Sequence, residues 1–233
     1  YKPEDGTGVD LTRTSERNRG SRQDVRRTAN RYLKYIQYGN RLPLLDNGGH
    51  RPRFLTSLQI QDAGWMFEVV FDYGEHDELD PAPGDAGDWT PRADAFSDCR
   101  AGFEVRTTRL CQRVLMFHHF PDEAGIGQDC LVRSTDFAYS GGQVPTPTDR
   151  IYTFLGAVTH SGYRRQTTAY LKRSAPSLEF EYTRPIVQDA VQDVDATVLE
   201  HLPIGVDDAV YRWTDLHGEG IPGILTEQDD GWF

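Results

Sequence analysis

The sequence predicts a mainly β protein of twisted antiparallel sheets, sandwich- or shell-like, with long loops and a C-terminal β-hairpin. Three observations predict it. Polar and apolar residues alternate along six segments, the period-2 mark of half-buried strands. Gly and Pro together make 35 of the 233 residues and cut the chain into short elements. Apolar content is only 37% while aromatics reach 11%, which suits broad sheets with much solvated surface better than a dense helical bundle.

The elements follow in order. Tyr1-Lys2-Pro3 reads as the end of a strand whose start lies upstream, so we expect a piece of a longer protein. A basic cluster runs from Arg13 to Lys34, and helical spacing over Asp24–Lys34 predicts a short helix. RYLKYIQYGN sets Tyr32, Lys34, Ile36 and Tyr38 on one face against Leu33, Tyr35 and Gln37, then turns at Gly39-Asn40. WMFEVVFDYG, from Trp65, is a β-branched and aromatic strand. EHDELDPAPGDAGDWTPRAD is an acidic loop rich in Pro and Gly. FEVRTTRLCQRVLMFHHF, from Phe103 to Phe120, predicts one long strand. CLVRSTDFAYS, IYTFLGAVTHSGYRR and LKRSAPSLEFEY complete the series, with SGGQVPTPTDR as a second polar loop. A domain boundary is expected near Pro185, giving domains 1–185 and 186–233. Residues 186–210 carry six acids and no Lys or Arg, with Val187, Val191, Val194 and Val198 at helix-like spacing.

The net charge of −11 hides an asymmetry. Residues 1–53 hold twelve Lys or Arg against six acids, leaving thirteen against thirty for the rest. Glu16 and Asp24 interrupt the basic run and few aromatics follow it. That favours a seam against an acidic neighbour over a nucleic-acid surface. No apolar run approaches the roughly 18 residues of a membrane-spanning helix. Cys99, Cys111 and Cys130 have no CxxC spacing and an odd count, so reduced thiols are expected.

Four constellations invite chemistry. DLHGEGIPG places Asp215 and Glu219 at the first and fifth positions of a calcium-type loop. His217 and Gly223 fill the third and ninth, where oxygen ligands belong. We read it as a Gly-rich turn between two strands that has lost its metal. His118-His119, near Cys111, Asp122 and Cys130, suggests zinc, but neighbours on a strand point to opposite faces. Arg133-Ser134-Thr135 with Glu179 and Glu181 resembles the arginine, Ser-Thr-Ser strand and Glu-x-Glu pair of ADP-ribosyltransferases, which act with NAD. Asp136 stands where that pattern has its last serine. No GxSxG elbow and no phosphate-binding loop is present. Trp65, Trp89 and the aromatic surplus leave open a carbohydrate- or protein-binding sandwich.

ANRYLKYIQYGNRLPLL, MFEVVFDYGEHD, FEVRTTRLCQRVLMFHHFP, LVRSTDFAYS, SLEFEY and YRWTDLHGEGIPGILTEQDDGWF together resemble, in order over nearly the whole chain, the SpvB/TcdB-type B component of bacterial insecticidal toxin complexes. The resemblance implies a β-shell domain over 1–185, then a linker and the first FG-GAP-like hairpin of a β-propeller over 186–233. It implies a structural role: closing a shell around a cytotoxic cargo with the C component, and docking on the pore-forming A component through the propeller. It implies a secreted toxin made in the bacterial cytoplasm. Neither nucleic acid nor direct membrane insertion belongs to that role. It calls for no catalytic, cofactor-binding or metal residues here and no cofactor, so the chain itself is expected not to be an enzyme. Arg106, Arg109 and Arg113 with Glu104 would then line a polar, lumen-facing sheet. The ADP-ribosyltransferase centred on Arg133, Ser134, Glu179 and Glu181 is the alternative.

Overall fold

A computed structural model describes residues 1–17, 19–25, 27–140, 153–167, 169–182, 210–215, 223–228 and 231–232, together with 193, 195 and 197. The chain divides into two compact units, Tyr1–Tyr182 and Thr183–Phe233.

The first unit is mainly β. Its strands are β1 (Lys2–Pro3), β2 (Arg31–Tyr32), β3 (Tyr35–Asn40), β4 (Trp65–Asp72), β5 (Pro91–Asp98), β6 (Val105–Arg109), β7 (Arg113–Phe120), β8 (Gly127–Ser140), β9 (Phe154–Arg165), β10 (Tyr170–Ser174) and β11 (Leu178–Glu179). One seven-stranded sheet runs β10-β9-β8-β7-β4-β3, with β11 also on β9. The pairs β1-β2 and β5-β6 form two small sheets, and every ladder is antiparallel.

Strict alternation marks β4 and β7, adjacent interior strands of the large sheet. Glu68, Val70 and Asp72 on β4, and Leu115, Phe117 and His119 on β7, are buried, while their neighbours are half-buried. Val70, Leu115, Phe117 and Leu131 form one core, against which Tyr163 and Tyr170 pack. Burying side chains of this size stabilises by roughly 1.5–3 kcal/mol each. On the opposite face Tyr38 stacks on Phe67, 5.0 Å between centroids, and Phe67 meets His118 and Phe120 edge to face. Gly39 permits this contact: its φ is +68°, and a Cβ there would lie 2.8 Å from the Phe67 ring. A second core gathers Tyr32, Tyr73 and Trp89, with Phe71 and Cys111 against it.

Several expected elements differ. The helix over Asp24–Lys34 is a single turn, closed by Thr28 N–H donating to the Asp24 carbonyl. It stops there because the Arg27 side chain is drawn into an ion pair and Tyr32 into the second core. The strand over 31–40 is two strands in different sheets, β2 and β3, parted at Leu33-Lys34. Phe103–Phe120 likewise breaks at Leu110–Gln112 into β6 and β7. The buried side chains change parity across that break, from Arg106 and Thr108 to Leu115 and Phe117. LKRSAPSLEFEY breaks around Pro176 into β10 and β11. Strand β5 lies where the acidic loop ends, and a helix, α1 (Ser57–Asp62), lies where none was expected. The capping box that starts α1, Thr56 with Gln59, was readable as T-x-x-Q.

In the second unit β12 (Tyr211–Thr214), β13 (Gly223–Gln228) and β14 (Gly231–Trp232) form an antiparallel sheet, with Tyr211 opposite Thr226 and Glu227 opposite Trp232. This is the expected C-terminal hairpin. The turn Leu216–Pro222 and most of the Val-spaced segment lie outside the described residues.

Candidate functional site: a buried ionic seam

The most distinctive chemistry of the first unit is a series of buried charges that fasten its first 34 residues to the strands behind them. Glu4 and Arg109 form the first node. Arg109 Nε donates to Glu4 Oε2 at 3.0 Å and Nη1 to the Trp89 carbonyl at 2.7 Å, and both charged side chains are 1% exposed or less. Glu4 also accepts from the Thr108 hydroxyl and from Gly6 N–H. Trp89 packs under two cations, the Arg109 guanidinium 4.3 Å and Lys2 Nζ 4.4 Å from its ring centroid. Its indole N–H donates to Asp5 Oδ1 at 3.0 Å.

The second node is Glu16, whose carboxylate takes Arg27 from its own segment and Arg106 from β6. Burial, the largest single effect, raises the Glu16 carboxyl, but the hydrogen bonds and charges of the two guanidinium groups together outweigh it and hold the carboxyl below the usual carboxylate value. Arg106 donates besides to Ser97 Oγ at 3.0 Å, while its Nε is buried with no partner among the described residues.

The third node lies at the end of β4. Lys34 Nζ donates to Glu75 Oε1 at 2.5 Å, approaches His76 Nε2 at 2.7 Å, donates to the Phe71 carbonyl at 3.1 Å and lies 3.2 Å from Asp85. Asp72, Glu75 and His76 bring their ligand atoms within 4.8 Å of one another, as a metal site would. Their lone pairs are already committed. Asp72 takes Arg113 and the Gly74 N–H, Glu75 takes Lys34 and the Tyr73 N–H, and His76 faces Lys34. The Lys34 ammonium stands where a cation would.

This seam corrects two expectations. Arg106, Arg109 and Arg113 do not line an open lumen: Arg106 and Arg109 are buried, and all three meet Glu16, Glu4 and Asp72. The acidic neighbour of the basic cluster is the same unit, since Arg27 meets Glu16 and Arg19 meets Glu104. Unpaired buried charge is too costly to leave, so the fold supplies a carboxylate for each.

The ADP-ribosyltransferase constellation is scattered. Arg133 pairs with Gly162 and Glu179 with Ala157, which itself faces Ala138. Counting along β8 from Ala138 to Arg133 gives five residues, roughly 17 Å. Odd spacing also puts Arg133 on the opposite face from Glu179. Glu181 lies beyond the end of β11. Ser134 is buried beneath the Tyr163 hydroxyl and donates to Asp136 Oδ2 at 2.7 Å. Thr135 meets His160 Nδ1 at 3.0 Å on the other face.

His118 and His119 point to opposite faces. His118 sits in the aromatic cluster of Phe67 and Phe120, whereas His119 is buried between Glu68 (Nε2 to Oε2, 3.2 Å) and Asp129 (Nδ1 to Oδ1, 3.0 Å). Asp122 is exposed in the β7–β8 turn. Trp89, 2% exposed, cannot serve as a sugar platform, and the Trp65 indole donates to the Ile60 carbonyl. The three cysteines are free thiols. Burial pushes the Cys111 thiol up to about 12, and Cys130 is buried. We therefore expect a maleimide to label Cys99 within minutes at pH 7.5, and the other two only after denaturation, as read by intact mass.

Comparison with known proteins extends the description. Residues 1–120 match the family model described as SpvB, Salmonella virulence plasmid 65kDa B protein. A Salmonella typhimurium protein named Mono(ADP-ribosyl)transferase SpvB is 38% identical over 168 residues, 71% of this chain and 26% of the relative. The chain thus spans about a quarter of the length of the curated relatives it matches. A crystal structure of TcdB2-TccC3-Cdc42 is similar over 99% of this chain and 10% of its own, at 31% identity and a TM-score of 0.54. The Tc holotoxin pore of Photorhabdus luminescens is similar over the same shares, at 30% identity and a TM-score of 0.54. With the family model covering more than half of the sequence, the chain belongs to the SpvB family.

Proposed function

We propose that this chain is a wall segment of a toxin-complex B component, which with its C component encloses a cytotoxic cargo. Residues 1–185 form the wall, and residues 186–233 lead into a propeller that docks on a pore-forming A component. The protein is made in the bacterial cytoplasm and secreted as part of the complex. The observation that carries this reading is the likeness over 99% of the chain to a part of the chains in the TcdB2-TccC3 structures. The fold supports it: a wide sheet with exposed edge strands and charges consumed in internal ion pairs makes a stiff wall rather than a pocket. No helix among the described residues is long and apolar enough to cross a membrane.

The test is co-expression of the full-length B chain with its C component, followed by limited proteolysis of the purified complex. An enclosed cargo stays intact until the complex is denatured. Cargo digested at the rate of the free C component would sink the reading.

The name of the curated relatives favours a second reading, ADP-ribosyl transfer using NAD. Against it stands the separation of Arg133 from Glu179 and Glu181. Replacing both glutamates, Glu179→Gln with Glu181→Gln, should leave NAD turnover by this chain at the buffer rate. Both are exposed, so the melting midpoint should move by less than about 2 °C. NAD cleavage by the parent chain that the double variant abolishes would establish the enzyme instead.

A further inference from the structure

The third node of the seam holds a contact that only one protonation state can make. An ammonium has protons to give and no lone pair, so His76 Nε2, 2.7 Å from Lys34 Nζ, must be the acceptor. The ring proton then sits on Nδ1 and donates to the Ala82 carbonyl at 2.9 Å. The imidazole side chain is 0% exposed, so no solvent can screen a second charge. We propose that the Lys34–His76 contact is an acid-labile latch, which releases Lys2 and residues 77–88 from the end of β4 on acidification while the seven-stranded sheet stays folded.

The geometry says what the latch holds. Lys2, on β1, lies 2.7 Å from Asp85 and 3.7 Å from Glu75. Tyr35, on β3, donates to Asp85 at 3.0 Å, and Ala86 N–H donates to the Glu75 carbonyl. The N-terminal strand and the 77–88 loop thus converge on Lys34. Protonating His76 removes an acceptor from the ammonium and places two buried cations in contact.

Other charged groups face His76 from each neighbouring element. Asp72, on β4, accepts the His76 backbone N–H at 3.3 Å, and Asp85 Oδ1 lies 3.6 Å from Nε2. Glu75 adjoins it in the chain, and Arg113, on β7, donates to the His76 carbonyl at 3.2 Å. The carboxylates favour the imidazolium; burial and Lys34 oppose it and prevail, holding His76 below its usual value. A histidine depressed in this way contributes stability in full above about pH 6.5, and loses it as pH falls through the lower folded value.

His119 has the opposite sense. Its two carboxylate neighbours raise its value, so it is bound more firmly as pH falls, and it ties β4, β7 and β8 together. Acid therefore loosens one end of β4 and not the other. This inference does not depend on the proposed shell role.

The test is hydrogen exchange of the whole chain at pH 7.5 and 5.0, corrected for intrinsic rates. Peptides covering 77–88 should lose protection, by up to about tenfold per pH unit below about 6.5, while 113–120 and 131–136 keep theirs. His76→Gln, whose amide oxygen can accept from Lys34, should abolish the response. Unchanged protection over 77–88, an equal loss over 113–120, or a full response in His76→Gln would each overturn the proposal. Should that variant fold poorly, nitrogen NMR of His76 in the parent chain decides. A neutral Nδ1–H ring titrating below about 6.5 supports the latch, and a ring already charged at pH 7 refutes it.

Discussion

Replacing Arg109 with Met should destabilise the first unit by about 3–5 kcal/mol, read from urea unfolding followed by tryptophan fluorescence. The substitution leaves the Glu4 carboxylate, 1% exposed, with Thr108 and backbone N–H groups but no cation. It also removes the guanidinium that covers one side of Trp89. Glu4→Gln should cost less, since an amide keeps the shape and one acceptor oxygen. The double variant Glu4→Leu with Arg109→Met should recover much of the loss, because two apolar groups of similar volume need no desolvation of charge. A double variant no more stable than Arg109→Met alone would mean that the pair supplies net stability beyond mutual neutralisation.

Phe117→Ala should cost about 3–5 kcal/mol, the second large effect. Phe117 is fully buried on β7, and it pairs with Glu68 on one side and Leu131 on the other. Truncation opens a cavity between strands whose backbones are held by ladders on both edges, so collapse around it is limited. The same assay checks it. A loss below about 1 kcal/mol would show that Tyr163 and Tyr170, which pack on this core, move in to fill the space.

The strands that were legible in the sequence are those whose burial follows their hydrophobicity. WMFEVVFD and RVLMFHHF alternate because one face meets a core, and they are adjacent interior strands of the large sheet. The small sheets were illegible for the converse reason. In β6 the buried side chains include Arg106, Thr108 and Arg109, while Val105 and Thr107 are half-buried. A buried ion pair has the same letters as a solvated one, and only the arrival of Glu4 and Glu16 from over 85 residues away tells them apart. Glu16 and Asp24, which interrupt the basic run, were the one local hint. The ADP-ribosyltransferase pattern failed at register: Arg133 and Glu179 look compatible as letters, yet β8 and β11 set them on opposite faces.

The ionic seam has a kinetic consequence. Glu4 reaches Arg109 across 105 residues, Glu16 reaches Arg106 across 90, and Tyr32 reaches Thr108 across 76. On a ribosome making the chain from its amino terminus, none of these partnerships can form until residues 106 to 109 begin to emerge. Residues 4–32 must wait as a solvated, polar tether while β3 and β4 find one another. Their charges, costly in the finished interior, keep that tether soluble and free of wrong strand pairing until its partners arrive.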